Sequence, residues 1–277
     1  MPLKLMYITN RPEVAQIVEA AGVDRVFVDM EHIGKALRQG GMDTVQSHHT
    51  VEDIRRVRPV LKQAELLVRC NPIHDGSEAE IEAIVSAGAD IIMLPYFKTM
   101  TEVERFLSLV GGRAKTMLLV ETPEAAQKLE AILSLDGIDE VHIGLNDLSL
   151  GLGKKFMFEL LTDGTVERLC LICKQKGVPC GFGGIAALGK GMLPAECIIK
   201  EHYRLGSTGA IVSRSFCNTD LVTDLNEIRE IFETGITAIR DLEAECERYM
   251  AYFRENEQET RRRVAMIAAQ IEKNLPC

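Results

Sequence analysis

The sequence predicts an α/β protein, a (β/α)8 TIM barrel with an extended C-terminal helical region, and three observations carry that prediction. Eight short apolar runs recur along the chain, and helical patterns with start and stop signals separate them. At 277 residues and 46% hydrophobic, the chain is long enough to enclose them all in one core.

The runs are Leu3–Ile8, Arg25–Asp29, Glu65–Arg69, Asp90–Leu94, Thr116–Glu121, Glu140–Ile143, Pro179–Phe182 and Ala210–Ser213. Each is nearly continuous in apolar residues, as parallel strands covered on both faces are. Between them, Thr50 with Asp53 and Thr99 with Glu102 have capping-box spacing, and Thr122-Pro123-Glu124 offers an N-cap followed by proline at the first helical position. Gly22, Gly88, Gly137, Gly177 and Gly206 each precede a strand, where a helix end favours a left-handed residue. The competing fold, an open doubly wound sheet, would show a glycine-rich phosphate turn after an early strand. Gly181-Phe182-Gly183-Gly184 comes late, lacks dinucleotide spacing and reads as a tight strand-to-loop turn.

From about Asp220 onward, Leu225, Ile228, Phe232, Ile236, Ile239, Leu242, Cys246, Tyr249 and Phe253 recur at helical steps, and Val264, Ile267, Ile271 and Leu275 continue the stripe. The expected organisation is a catalytic barrel over 1–219 and C-terminal helices over 220–277. Those helices either cover the barrel or pack on a neighbouring copy; we favour the second, a homo-oligomer.

A net charge of −9 and a pI near 5.3 argue against nucleic acid as a general partner, because phosphate binding needs a basic face. An anionic small molecule is compatible, since a few arginines in a cleft make a local positive field. No apolar run approaches a membrane span and the N-terminus lacks a signal-peptide pattern, so the expectation is a cytoplasmic protein without a membrane partner. The eight cysteines are scattered. Cys170 and Cys173 form a CxxC with no second ligand pair, and the spacing is that of one apolar helix face.

Barrel enzymes place their chemistry where strands end, and the strand ends here are charged. Strand two closes in Asp29-Met30-Glu31-His32, strand three in Arg69-Cys70-Asn71-Pro72, strand four in Leu94-Pro95, strand five in Glu121-Thr122, and strand six runs into Gly144-Leu145-Asn146-Asp147. Glu121 and Asp147 on adjacent strand ends suit a hard cation such as Mg²⁺ or Mn²⁺; they equally suit acid–base work or salt bridges. Arg69 is the natural anion or oxyanion stabiliser, or else an ion-pair partner of Glu121 or Glu31. His32 is a general base near neutral pH, or a structural histidine. Arg214 after the last strand faces an anion or an ion pair. In the long loop Ile33–Gly41, Lys35 and Arg38 are either solvated charges or clamps for a distal carboxylate or phosphate on a moving lid.

In this order the motifs resemble a known family. Phe27-Val28-Asp29-Met30-Glu31-His32 is similar to the acidic-acidic-histidine segment of class II, metal-dependent pyruvate aldolases related to 4-hydroxy-2-oxoheptanedioate aldolase. Leu67-Val68-Arg69-Cys70-Asn71-Pro72 resembles the Arg-x-Asn segment of the citrate lyase β-subunit branch of that superfamily. Leu119–Ala125 and Ile143–Ser149 resemble the metal-ligand motifs of both branches, and the resemblance spans roughly residues 20–215.

The resemblance implies that Glu121 and Asp147 hold a divalent cation (Mg²⁺ or Mn²⁺) chelating a 2-oxo acid. It implies that Arg69 stabilises the enolate formed on C–C cleavage. His32 would move the aldol proton through a water, with Asp29 and Glu31 orienting both. Asn71, Pro95, Asn146 and Arg214, with Lys35 and Arg38, are the candidate substrate contacts. Leu119 stands where the aldolase branch carries glutamine, and the loop after strand two is enlarged. That loop resembles a subgroup linked to surface-polysaccharide synthesis, implying a sugar-derived or phosphorylated substrate. The alternatives are an acyl-CoA or thioester lyase like the citrate lyase branch, and a non-catalytic metabolite-binding or scaffold barrel.

Overall fold

The structure, a computed structural model, describes residues 1–34 and 47–274. Lys35, Arg38 and most of the enlarged loop lie outside the described residues. Among the described residues, nine parallel strand segments form a single sheet: β1 (Lys4–Ile8), β2 (Arg25–Asp29), β3 (Glu65–Arg69), β4 (Ile91–Leu94), β5 (Lys115–Val120), β6 (Glu140–Ile143), β7 (Cys180–Phe182), β8 (Gly184–Ile185) and β9 (Gly209–Val212). The order β7-β6-β5-β4-β3-β2-β1-β9-β8 curls into a nearly closed barrel of the expected TIM type.

The ninth segment arises because the seventh strand breaks at Gly183, whose φ is +53°. Gly183 sews the seam there: its N–H donates to Ile143 O at 3.0 Å and its carbonyl accepts from Ile211 N at 3.4 Å. A Cβ at this position would stand 2.8 Å from Leu145 Cδ1 on a left-handed backbone, so glycine is the residue that fits without strain. The turn read from the sequence is thus the joint that closes the barrel.

Among the described residues the connecting helices are α1 (Pro12–Ala20), α2 (Val51–Val57), α3 (Ser77–Ser86), α4 (Met100–Val110), α5 (Pro123–Ile132), α6 (Leu145–Gly151), α7 (Glu159–Thr162), α8 (Thr165–Lys176) and α9 (Ala195–Leu205). The starts at Thr50 and Thr99 are capping boxes, and the Thr122 hydroxyl caps α5 by accepting from Ala125 N at 3.1 Å. These caps satisfy N–H groups that a helix start leaves unpaired.

The barrel interior is layered. At the N-terminal end of the strands, buried Arg25 donates to Glu65 at 2.9 Å and to both oxygens of Glu140 at 2.6 and 2.7 Å, and Lys115 closes on Glu65 at 2.6 Å. Above this ring Met6, Phe27, Leu67, Ile91, Met93, Met117 and Leu119 fill the interior as a separate apolar cluster. Burying each such side chain stabilises the fold by about 1.5–3 kcal/mol. One step further along the same inward-facing positions, charged residues take over at the C-terminal mouth.

Beyond the barrel, α10 (Leu225–Arg248) and α11 (Phe253–Asn274) carry the long amphipathic pattern. Ile228, Phe232, Ile236, Ile239 and Cys246 are buried against the chain's own barrel. Glu243 on α10 accepts from Leu3 N at 2.7 Å, and Asn256 on α11 donates to Glu201 at 2.9 Å and to Cys197 O at 3.1 Å. These five members of the apolar stripe therefore pack within the protomer, while Leu225 and Tyr249 of the same stripe are exposed. No helix among the described residues is long and apolar enough to cross a membrane.

Candidate active site

Strands β2 and β3 end in register, with Asp29 opposite Arg69. Arg69 Nε and Nη2 donate to the two Asp29 oxygens at 2.8 Å each, and Nη1 lies 3.4 Å from Glu31 Oε2. The acids are 2% and 1% exposed and the arginine 14%. Burial alone would lower the Arg69 pKa. The negative charges of Asp29, Glu31 and, further off, Glu121 reverse this and raise it. Burying charge at this depth is tolerable only with such pairing. Arg69 is thus the centre of an ion-pair group, with Asp29 as its main partner, and it also lines the pocket at the mouth.

Glu121 directly follows β5, and Asp147 sits in the first turn of α6. Both are buried, at 5% and 7% exposure. Glu121 Oε1 accepts from Tyr96 N at 3.0 Å. To present that N–H, Tyr96 adopts φ +48°, unusual for a residue with a side chain. Gly144 makes room on the other side: a Cβ there would meet Glu121 Cβ at 2.8 Å and Oε2 at 2.9 Å.

Glu121 and Asp147 border two chambers. The inner one, about 190 Å³, is lined by Arg69, Asn146 and His142 among apolar residues of the barrel interior. The outer one, about 310 Å³, lies toward Tyr96, Lys98 and Glu124. Among the described residues no cluster of three or more His, Cys, Asp or Glu side chains could hold a metal. An ion here would rest on the two carboxylates alone, keeping other positions for water and substrate oxygen. Buried hard oxygen donors of that number fit Mg²⁺ or Mn²⁺.

The remaining candidates are placed as follows. His32 is exposed at the rim, and its Nδ1 pairs with Met30 O at 3.1 Å. Only a protonated nitrogen pairs with a carbonyl, so Nε2 is the basic atom of the ring. Asn71 accepts from His32 N and Ile33 N at 3.0 Å each and donates to Glu80 at 2.7 Å. It braces the segment after β2 and does not line the inner pocket; nor do buried Pro95 and exposed Arg214.

Three residues had not been read from the sequence. Tyr96 orients Glu121, and His49 Nδ1 accepts from Asp29 N at 3.0 Å, tying the returning loop to the acid. His142 lies inside the barrel; its Nε2 donates to Gly183 O at 3.2 Å, and Nδ1 has no partner among the described residues. Burial chiefly, with the charges of Arg25 and Arg69, pushes its pKa down to about 4 against the Gly183 hydrogen bond. The signal for His142 was parity: it lies two residues before Gly144, on the inward side of β6.

A parallel barrel with carboxylates and an arginine gathered at its C-terminal mouth is built as an enzyme of the (β/α)8 class. The chain belongs to the HpcH/HpaI aldolase/citrate lyase family, whose model matches residues 4–180. It is 28% identical over 181 residues to the hydroxypyruvate/pyruvate aldolase of Rhizorhabdus wittichii, covering 51% of this chain and 71% of the relative. It is 26% identical over 170 residues to the 2-keto-3-deoxy-L-rhamnonate aldolase of Salmonella paratyphi B, covering 50% and 58%. Among solved structures, the HpcH/HpaI aldolase of Desulfitobacterium hafniense shares the fold with TM-score 0.61 and 17% identity, over 82% of this chain and 93% of that one.

Proposed function

We propose that this protein is a metal-dependent aldolase that makes or breaks a C–C bond next to a 2-oxo acid carboxylate, through a pyruvate-type enolate. The observation that carries the reading is that Arg69, Glu121 and Asp147 line one small pocket at the mouth. Family membership and the aldolase relatives support the reaction class.

Glu121 and Asp147 would hold the divalent cation, which when bound supplies Lewis-acid polarisation of the 2-oxo group. Arg69 keeps its guanidinium locked by Asp29, so its charge is in place before negative charge grows on the enolate oxygen. His32, with Nε2 as its basic atom, exchanges the proton of the aldol hydroxyl through a water. Met93, Leu119 and Ile211 keep the floor of the pocket apolar and strengthen each charge interaction above it.

The test is hydrogen exchange. In deuterated water with Mg²⁺ or Mn²⁺, the protein should exchange the methyl protons of pyruvate. Chelator should stop the exchange, and Glu121→Ala or Asp147→Ala should abolish it. Exchange that survives chelation sinks the metal-dependent enolate reading. Adding oxaloacetate, pyruvate and acetyl-CoA separately distinguishes a free-acid aldolase from a thioester lyase.

A further inference from the structure

The segment that carries His32 is held by residues that line neither chamber. His32 N and Ile33 N both donate to Asn71 Oδ1 at 3.0 Å, and the His32 ring is fixed on its own backbone through Nδ1–H to Met30 O. The place of Nε2 therefore follows that of Met30–Ile33, and Asn71 sets it. An asparagine amide can turn over and present its NH2 where its oxygen stood. Here it is locked, because Nδ2 donates to Glu80 Oε1 at 2.7 Å.

Glu80 lies on α3 and is 11% exposed. Its Oε1 also accepts from Asn71 N at 3.1 Å, and its Oε2 accepts from His74 Nε2 at 3.1 Å. His74 is a neutral donor: Gly76 N donates to its Nδ1 at 3.0 Å, so that nitrogen carries no proton and Nε2 does. The turn is so tight that a Cβ on Gly76 would stand 2.9 Å from His74 Cε1. Three N–H groups thus converge on one carboxylate, an acceptor on both sides. A glutamine in its place would fit the space but not the pattern. Its NH2 would face either the two Asn71 donors or the His74 donor, and one side must lose its bonds.

We propose that Glu80 is a positioning residue for His32: it locks the Asn71 amide with its oxygen toward the His32 and Ile33 N–H groups and so places the base at the mouth. The inference rests on the aldolase reading, in which His32 moves the proton of the aldol hydroxyl. Glu80 touches no substrate and acts through the chain His74–Glu80–Asn71–His32.

The experiment uses the full chain with Mg²⁺ and follows the joining of pyruvate to whichever of glycolaldehyde, glyceraldehyde and propanal the wild-type protein takes fastest. Glu80→Gln should lower kcat about tenfold, the range of one hydrogen bond to a charged group, and leave KM for pyruvate within about twofold. In a His32→Ala background the same substitution should cost nothing further, because the two residues act as one unit. Amide hydrogen exchange reads the variant without turnover. Exchange at His32 and Ile33 should quicken about tenfold, while Met30, whose N–H donates to Arg69 O at 3.0 Å, keeps its wild-type rate. An unchanged kcat, equal losses in both backgrounds, or faster exchange at Met30 as well overturns the inference and leaves the aldolase reading standing. Wild-type protein that joins pyruvate to none of the three aldehydes overturns both.

Discussion

Gly144 and Glu121 are packed so closely that a methyl group on the glycine would stand 2.8 Å from the glutamate Cβ and 2.9 Å from its Oε2. Glu121 is pressed from one side by this backbone and held from the other by Tyr96 N–H at 3.0 Å. The carboxylate therefore has little room to shift and still face both chambers.

Gly144→Ala tests this arrangement. The added methyl should displace Glu121 and lower pyruvate exchange by about 100-fold or more, the usual cost of misplacing a catalytic group by an ångström. Because Gly144 has ordinary backbone dihedrals, φ −81° and ψ 91°, the substitution brings no backbone strain of its own. Exchange within twofold of wild type would show that Glu121 accommodates the methyl or is not a ligand.

Arg69 and Asp29 separate charge from geometry. Arg69→Lys keeps a cation but loses the two parallel contacts to Asp29, so exchange should fall by about 100- to 1,000-fold while the fold persists. Arg69→Ala deprives two buried acids of their guanidinium and should cost about 3–5 kcal/mol of stability, read by urea unfolding. A lysine variant with near-wild-type exchange would remove Arg69 from the chemistry.

The buried histidines predict a pH dependence of stability. His142 is held down at about 4 and His202 at about 3, chiefly by burial, from an ordinary value of 6.5. His202 is stacked on Phe182 with ring centroids 3.7 Å apart. Below pH 6.5 the unfolded chain gains protons that the native chain refuses. The stability present above 6.5 should then decline by about 1.4 kcal/mol per pH unit for each histidine as pH falls toward the folded values. His142→Phe should flatten the decline between pH 6.5 and 5 relative to wild type. Parallel curves for the two proteins would contradict the assignment.

Asn256 predicts what the last helix is for. Its amide donates to Glu201, which is 1% exposed, and to the Cys197 carbonyl, joining α11 to α9 of the same chain. Asn256→Ala should lower stability by about 1–3 kcal/mol, the cost of stranding buried acceptors, with pyruvate exchange at room temperature unchanged. A Tm equal to wild type would mean that α11 is not braced there.

Much of this architecture was legible in the sequence. Strands such as Arg25–Asp29 and Glu65–Arg69 are uninterrupted apolar runs ending in a charge, and the charge marks the mouth. That combination brought out Asp29, Glu31, Arg69, Glu121 and Asp147. The division of the seventh strand was not legible, because a two-residue segment such as Gly184–Ile185 has no period to detect. The bonds that Asn71 makes to His32, Ile33 and Glu80 were not legible either. A hydrogen bond spanning 38 residues leaves no local trace. The left-handed Tyr96 was equally hidden, since nothing in Leu94-Pro95-Tyr96-Phe97 distinguishes it from ordinary extended chain.

The ring of Arg25, Glu65, Glu140 and Lys115 stoppers the far end of the barrel and leaves the protein a thimble, open at one lip. Two of the strands that build the stopper also build the lip: β2 runs from Arg25 to Asp29 and β3 from Glu65 to Arg69. Each is a short cord knotted by an ion pair at both ends, Arg25 to Glu65 below and Asp29 to Arg69 above. The tension that sets the mouth is thus anchored at the opposite end of the same two strands.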